Sequence, residues 1–129
     1  MKRLMYMVAL LLPIACWAAD QDGYYRPYSM VGKNSDYTTC KGYMVARNSA
    51  RKGHFDAQNQ FNQWLDGYLT AYDAYNPGTF DIAYGKDLAS LDLWLEHYCE
   101  KHPGELFSDA VDTLMFELFP TRAQTNPRK

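Results

Sequence analysis

The chain has 129 residues, with 13 Lys and Arg against 15 Asp and Glu, three His and a net charge of -2. That length suits one domain. The acid excess excludes nucleic acid as an expected partner, since duplex binding wants a clear positive surplus.

The first residues read as a leader. Lys2 and Arg3 are followed by an apolar run from Leu4 to Trp17, then by Ala18-Ala19 and the first acids. Charged start, apolar run and small residues are the order of a secretory signal peptide over 1–19, cleaved after Ala18 or Ala19. The run falls short of the about 20 residues a membrane span needs, and no later segment comes closer, so no stable span is expected. Leu12 to Cys16 loosely matches a lipobox, which offers lipidation at Cys16 as an alternative, although Pro13 sits awkwardly for it. Export places the protein in a bacterial periplasm. Cleavage leaves two cysteines, Cys40 and Cys99, and an even count in an exported chain argues for a disulfide between them. Neither has a C-x-x-C neighbour, which disfavours redox or zinc chemistry.

Residues 20–36 form an irregular arm with Gly23, Pro27, Gly32 and tyrosines 24, 25 and 28. Its tyrosines are expected to pack on the domain or meet a partner. A helical domain is expected over 37–120. The first helix covers about 37–49, with Tyr37, Cys40, Tyr43, Met44 and Arg47 at helical steps and Asp36 as N-cap. The second starts near Asp56 and stops by Asn76 before Pro77. Its stripe is Phe61, Trp64, Leu65, Tyr68, Leu69 and Tyr72. Gly67 lies inside it and suggests the close passage of another helix, or mere tolerance.

Residues 77–86 read as a connector in which 79–82 alternate weakly. The third helix covers about 87–101, capped by Asp87, with Leu88, Leu91, Leu95, Tyr98 and Cys99 inward and Trp94 beside them. The fourth covers about 104–119, with Pro103 near its start and Pro120 at its end. A polar tail over 121–129 is expected to be disordered. The fold class is therefore all-α, a small bundle of about four helices with one disulfide.

The search for chemistry finds little. His97 and His102 are five apart and His54 is remote, which does not match zinc spacing on a helix. Ser90 and Ser108 lack nucleophile-elbow glycines, and no phosphate-binding loop exists. No catalytic residue, metal or cofactor is assigned, and the protein is not expected to be an enzyme.

Charge placement says more. Lys41 to His54 holds no acid, whereas Asp81 to Glu117 holds nine acids and two lysines. Either the first helix pairs with the third and fourth or both faces are solvated, or the surface steers a charged partner. Asp92, Glu96 and Glu100, at i, i+4 and i+8, are expected on the outer face of the third helix as pH-sensing carboxylates. Without Lys2 and Arg3 the net charge is -4, and full protonation carries it to about +14. Such self-repulsion loosens compact states.

Cys40, then Trp64-Leu65-Asp66-Gly67-Tyr68, then Leu95-x-x-Tyr98-Cys99-x-x-x-Pro103, then Asp109-Ala110-Val111, resembles the HdeA/HdeB-like family of periplasmic proteins. The match covers about residues 38 to 119. The resemblance implies a small helical acid-stress chaperone, a homodimer at neutral pH that loosens in acid and holds unfolding client proteins. Trp64, Leu65, Tyr68, Tyr72, Trp94 and Tyr98 are then the residues for packing or for client contact.

The longer connector, the tyrosine-rich arm and the ending Glu117-Leu118-Phe119-Pro120 depart from that pattern. Cys40-Lys41-Gly42-Tyr43 with His102-Pro103 and that ending also looks like the Tai-type immunity proteins of type VI secretion, which implies a toxin as partner. A small periplasmic ligand-binding protein is the remaining alternative.

Overall fold

A computed structural model describes residues 38–128. The expected leader with Cys16, the expected arm over 20–36 and the expected cap Asp36 lie outside the described residues. Four α-helices follow in order: α1 Cys40–Ala50, α2 Asp56–Tyr75, α3 Leu88–Lys101 and α4 Phe107–Leu118, the last running into a 3-10 turn Phe119–Thr121. Among the described residues there is no sheet, only two isolated bridges, Thr39 with Leu106 and Asp81 with Ala123. The all-α bundle expected from the periodicity is the fold.

The start of α1 is set by a pairing that the sequence did not advertise. Thr39 is extended, bridges Leu106 and caps the helix, its Oγ1 accepting from the Gly42 amide at 3.2 Å. Two free amides of the first turn find acceptors in the α3–α4 link: Cys40 N–H donates to the Glu105 carbonyl at 2.8 Å, Lys41 N–H to the Pro103 carbonyl at 3.1 Å. This also corrects the start of the fourth helix. Pro103 is not in its first turn, because residues 103–106 are committed to α1, and α4 begins at Phe107 with Leu106 as N-cap. Asp87 caps α3 as expected, accepting from the Ser90 amide at 2.8 Å.

The core is aromatic at its centre. The Tyr43 ring, fully buried, stacks on Phe107 at 4.8 Å between centroids and meets Phe61 edge-on at 5.2 Å. Phe61 and Phe107 meet edge-on at 4.8 Å. Such offset and T-shaped pairs suit the ring quadrupole and add to area burial. Leu65, Leu91, Leu95, Val111 and Leu114 surround them. Cys40 and Cys99 are fully buried and bonded, with Cα atoms 4.7 Å apart. The bond ties the first residue of α1 to the last turn of α3.

Two peripheral segments are more ordered than expected. The connector drives Ile82 into the core, and the Ile82 amide donates to Asp73 Oδ1 at 2.7 Å. Beyond α4, Ala123 exchanges hydrogen bonds with Asp81, and Arg122 Nε donates to the Gly78 carbonyl at 3.1 Å. The beginning of the tail, expected to be disordered, is thus fastened to the connector.

Gly67 has open space around it. A Cβ there has no atom within 4 Å, so tolerance explains this glycine rather than a passing helix.

Candidate functional site: the charged seam between α1 and α3

α1 and α3 run antiparallel, as the residues that meet across them show. Cys40 faces Cys99 at one end, and Arg47 and Arg51 face Asp92 and Glu96 toward the other. Arg47 of α1 and Arg51, its C-cap residue, are four residues apart, as are Asp92 and Glu96 on α3, so each pair falls on one face. Asp92 and Glu96 were expected outside, but both are buried. The cause is their partners: a carboxylate turned toward α1 trades water for guanidinium hydrogen bonds. Glu100 alone of the three acids is exposed.

Glu96 is the centre of the seam. Its Oε2 accepts from Arg47 Nη2 at 2.9 Å and from Nε at 3.1 Å, a two-pronged contact, while Oε1 accepts from Arg51. Burial opposes the charge on Glu96, yet the Arg51 and Arg47 guanidiniums outweigh it and hold the carboxyl below the usual glutamate range. Asp92 differs. It accepts from Tyr43 Oη at 2.9 Å, from Arg47 Nη1 at 3.3 Å and from Gln58 Nε2 of α2 at 3.3 Å. Burial dominates there, with Glu96 and Asp66 nearby, and raises its carboxyl despite the Tyr43 and Arg47 bonds.

Tyr43 therefore has two roles, its ring in the aromatic core and its hydroxyl in the seam. Burial first, then the Asp92 charge, pushes its hydroxyl far upward, so it stays a donor. Gln58 also donates to Asn62 Oδ1 at 2.9 Å, while its own buried Oε1 has no partner.

The aromatic residues expected to meet a client split into two groups. Leu65 is buried and unavailable in the folded state. Trp64 and Tyr68 stack at 5.3 Å on α2, and Tyr68 donates to Asp112 of α4. Trp94, Tyr98 and His102 form a ladder along α3, with centroids 5.3 and 4.4 Å apart. Tyr98 donates to Glu105 Oε2 at 2.7 Å, and His102 Nδ1 lies 3.0 Å from Glu105 Oε1. Tyr72 is half-buried against the core. The two ladders stand on different helices, one on α2 and one on α3.

Sequence reasoning missed Arg47, Arg51, Tyr43 and Gln58 as members of a site. A signal was present: two arginines four apart on one amphipathic helix, matched by two acids four apart on another. Among the described residues, no group of three His, Cys, Asp or Glu is placed to hold a metal, and no helix is long and apolar enough to cross a membrane. No protein-family model matches the chain, and neither the curated proteins nor the solved structures contain a match.

Proposed function

We propose that this protein is a periplasmic, acid-responsive holding chaperone of the HdeA/HdeB kind, binding unfolding proteins without catalysis. One observation carries the reading: a buried glutamate bridged by two arginines fastens α1 to α3, while a disulfide fastens the opposite end of the same seam.

The sign of the pH response follows from the carboxyls. Glu96, held below its unfolded value, contributes stability at neutral pH that is lost as pH falls through its folded pKa. Asp73, Asp92 and Asp109 are shifted the other way, chiefly by burial. Their protonation on acidification relieves a buried charge, so these three favour the folded state as pH falls. The loss at Glu96 leaves two guanidiniums facing neutral carboxyls, on a chain whose net charge, without Lys2 and Arg3, climbs toward about +14. The expected outcome is loosening of the latch end while the disulfide end stays tied. The surface so uncovered is the aromatic group of Tyr43, Phe61 and Phe107.

A client-aggregation assay at pH 2 to 3, with a dye that reports apolar surface, tests this. The reading expects suppression of aggregation and a rise in dye binding on acidification. A chain that stays closed and gives no protection in acid, but binds one toxin tightly at neutral pH, would instead be an immunity protein.

A further inference from the structure

Gln58 stands in the first turn of α2 and is only 4% exposed. Its Nε2 donates to Asn62 Oδ1 at 2.9 Å and, across the helix boundary, to Asp92 Oδ1 at 3.3 Å. Among the described residues, that second bond is the one side-chain hydrogen bond joining α2 directly to α3. The other end of the same amide is in a different state. Gln58 Oε1 is buried and accepts from nothing. A buried amide oxygen left unbonded costs free energy, and a donor beside it removes the cost.

An ionised Asp92 cannot be that donor, because a carboxylate only accepts. Its Oδ1 accepts from Tyr43 Oη at 2.9 Å and from Gln58, and its Oδ2 accepts from Arg47 Nη1 at 3.3 Å. The charged and titratable groups that bear on it are Tyr43 and Arg47 of α1, Asp66 of α2 and Glu96 of its own helix. A proton on Asp92 would need a buried acceptor in turn. Arg47 has no lone pair to offer, and Tyr43 is already donating. Gln58 Oε1 is an acceptor with nothing on it, and it shares a carbon with the Nε2 that touches Asp92.

We propose that Gln58 captures the proton Asp92 takes up in acid: Oδ2–H donates to Gln58 Oε1 while Gln58 Nε2 still donates to Oδ1, an acid–amide pair that clasps α2 to α3. The proton comes from solvent, the Oδ2–H bond forms, and the Asp92 charge is lost. Arg47 then keeps only Glu96 as a charged partner, so one proton weakens a tie of α1 and strengthens a tie of α2. The inference deepens the acid response proposed for the seam and rests on that reading for its use. It also sets an order. Burial holds Asp92 above the aspartate range, while the guanidiniums hold Glu96 below the glutamate range. The α2–α3 clasp therefore closes before the Glu96 latch lets α1 go, and Phe61 of α2 stays seated as α1 leaves.

Carbon-13 magnetic resonance of the intact chain, titrated from pH 7 to pH 3, tests it. The expected result is that the Gln58 side-chain carbonyl carbon is deshielded with the same midpoint as the Asp92 carboxyl carbon. Gln58→Met keeps the length of the side chain and removes the amide. It should lower the Asp92 midpoint by roughly half to one pH unit, the worth of one net hydrogen bond lost from the acid form. A midpoint that rises overturns the proposal, since Gln58 then serves only as a donor to the carboxylate. An unchanged midpoint overturns it too. Should the variant fail to fold, the wild type decides alone: a Gln58 carbonyl carbon that does not follow Asp92 overturns the proposal. The titration reads a bond and not client binding, so a chain that protects no client can still pass it. Equally, its failure leaves the Glu96 latch standing.

Discussion

Replacing Glu96 by glutamine keeps the shape of the side chain and removes its charge. The Glu96 side chain is 8% exposed and its two partners are 23% and 53% exposed, so the seam is dry on one side and wet on the other. Breaking a fully buried pair costs about 3–5 kcal/mol, because an uncompensated charge remains. Arg51 can turn to water, and Arg47 keeps Asp92, which discounts that figure to about 2 kcal/mol at pH 7. For a domain of this size such a loss lowers Tm by roughly 8–16 °C.

The charge has its value only where the wild type holds it ionised. The difference between the wild type and Glu96→Gln should thus be full above the ordinary glutamate range. It should shrink as pH falls through the depressed pKa of Glu96. Urea unfolding of both proteins at pH 7, 5 and 3 measures this. A cost below about 0.5 kcal/mol at pH 7, the value of an exposed ion pair, would refute the reasoning. So would a cost that does not change with pH.

Other outcomes follow from the same contacts. Asp92→Asn should cost less than Glu96→Gln at pH 7, because burial already works against the Asp92 charge and the amide can still accept from Tyr43; paired urea curves decide it. Gly67→Ala should stabilise by up to about 1 kcal/mol in the same assay, since helix propensity improves and a Cβ meets nothing within 4 Å. Ile82→Ala should cost about 2–4 kcal/mol and loosen the connector, seen as faster amide exchange over 79–83, because a fully buried side chain leaves a cavity. Replacing Cys40 and Cys99 together by alanine should lower stability by up to roughly 4 kcal/mol, the closure entropy of a loop with a separation of 59 residues.

The helices were legible because their apolar residues recur at helical steps over long stretches. α2 and α3 lie where periodicity, Pro77 and the Asp87 cap put them. The pairing of Cys40 with Cys99 was legible because they are the two cysteines outside the apolar N-terminal run. The start of α4 was not, since what displaces it is a contact with Thr39, 67 positions earlier in the chain.

Pairing of the first helix with the third was one of the readings its charges offered, but the residues of the seam were not. Acids four apart on a helix look like a solvated stripe until the helix opposite is known to carry arginines at the same spacing. Asp92 and Glu96 lie on the side of α3 that α1 covers, and Glu100 lies off it. Periodicity alone cannot separate them. Ile82 and Ala123 were illegible because single docking residues in short irregular segments leave no period to read.

The central claim is that α1 is latched to α3 by charge at one end and hinged on the disulfide at the other. Amide hydrogen exchange of the intact chain between pH 7 and pH 3, corrected for intrinsic rates, tests it residue by residue. The account predicts that amides from Arg47 to Ala50 lose protection first, while those around Cys99 keep theirs. Uniform loss across all four helices, or a first helix still protected at pH 3, would contradict it.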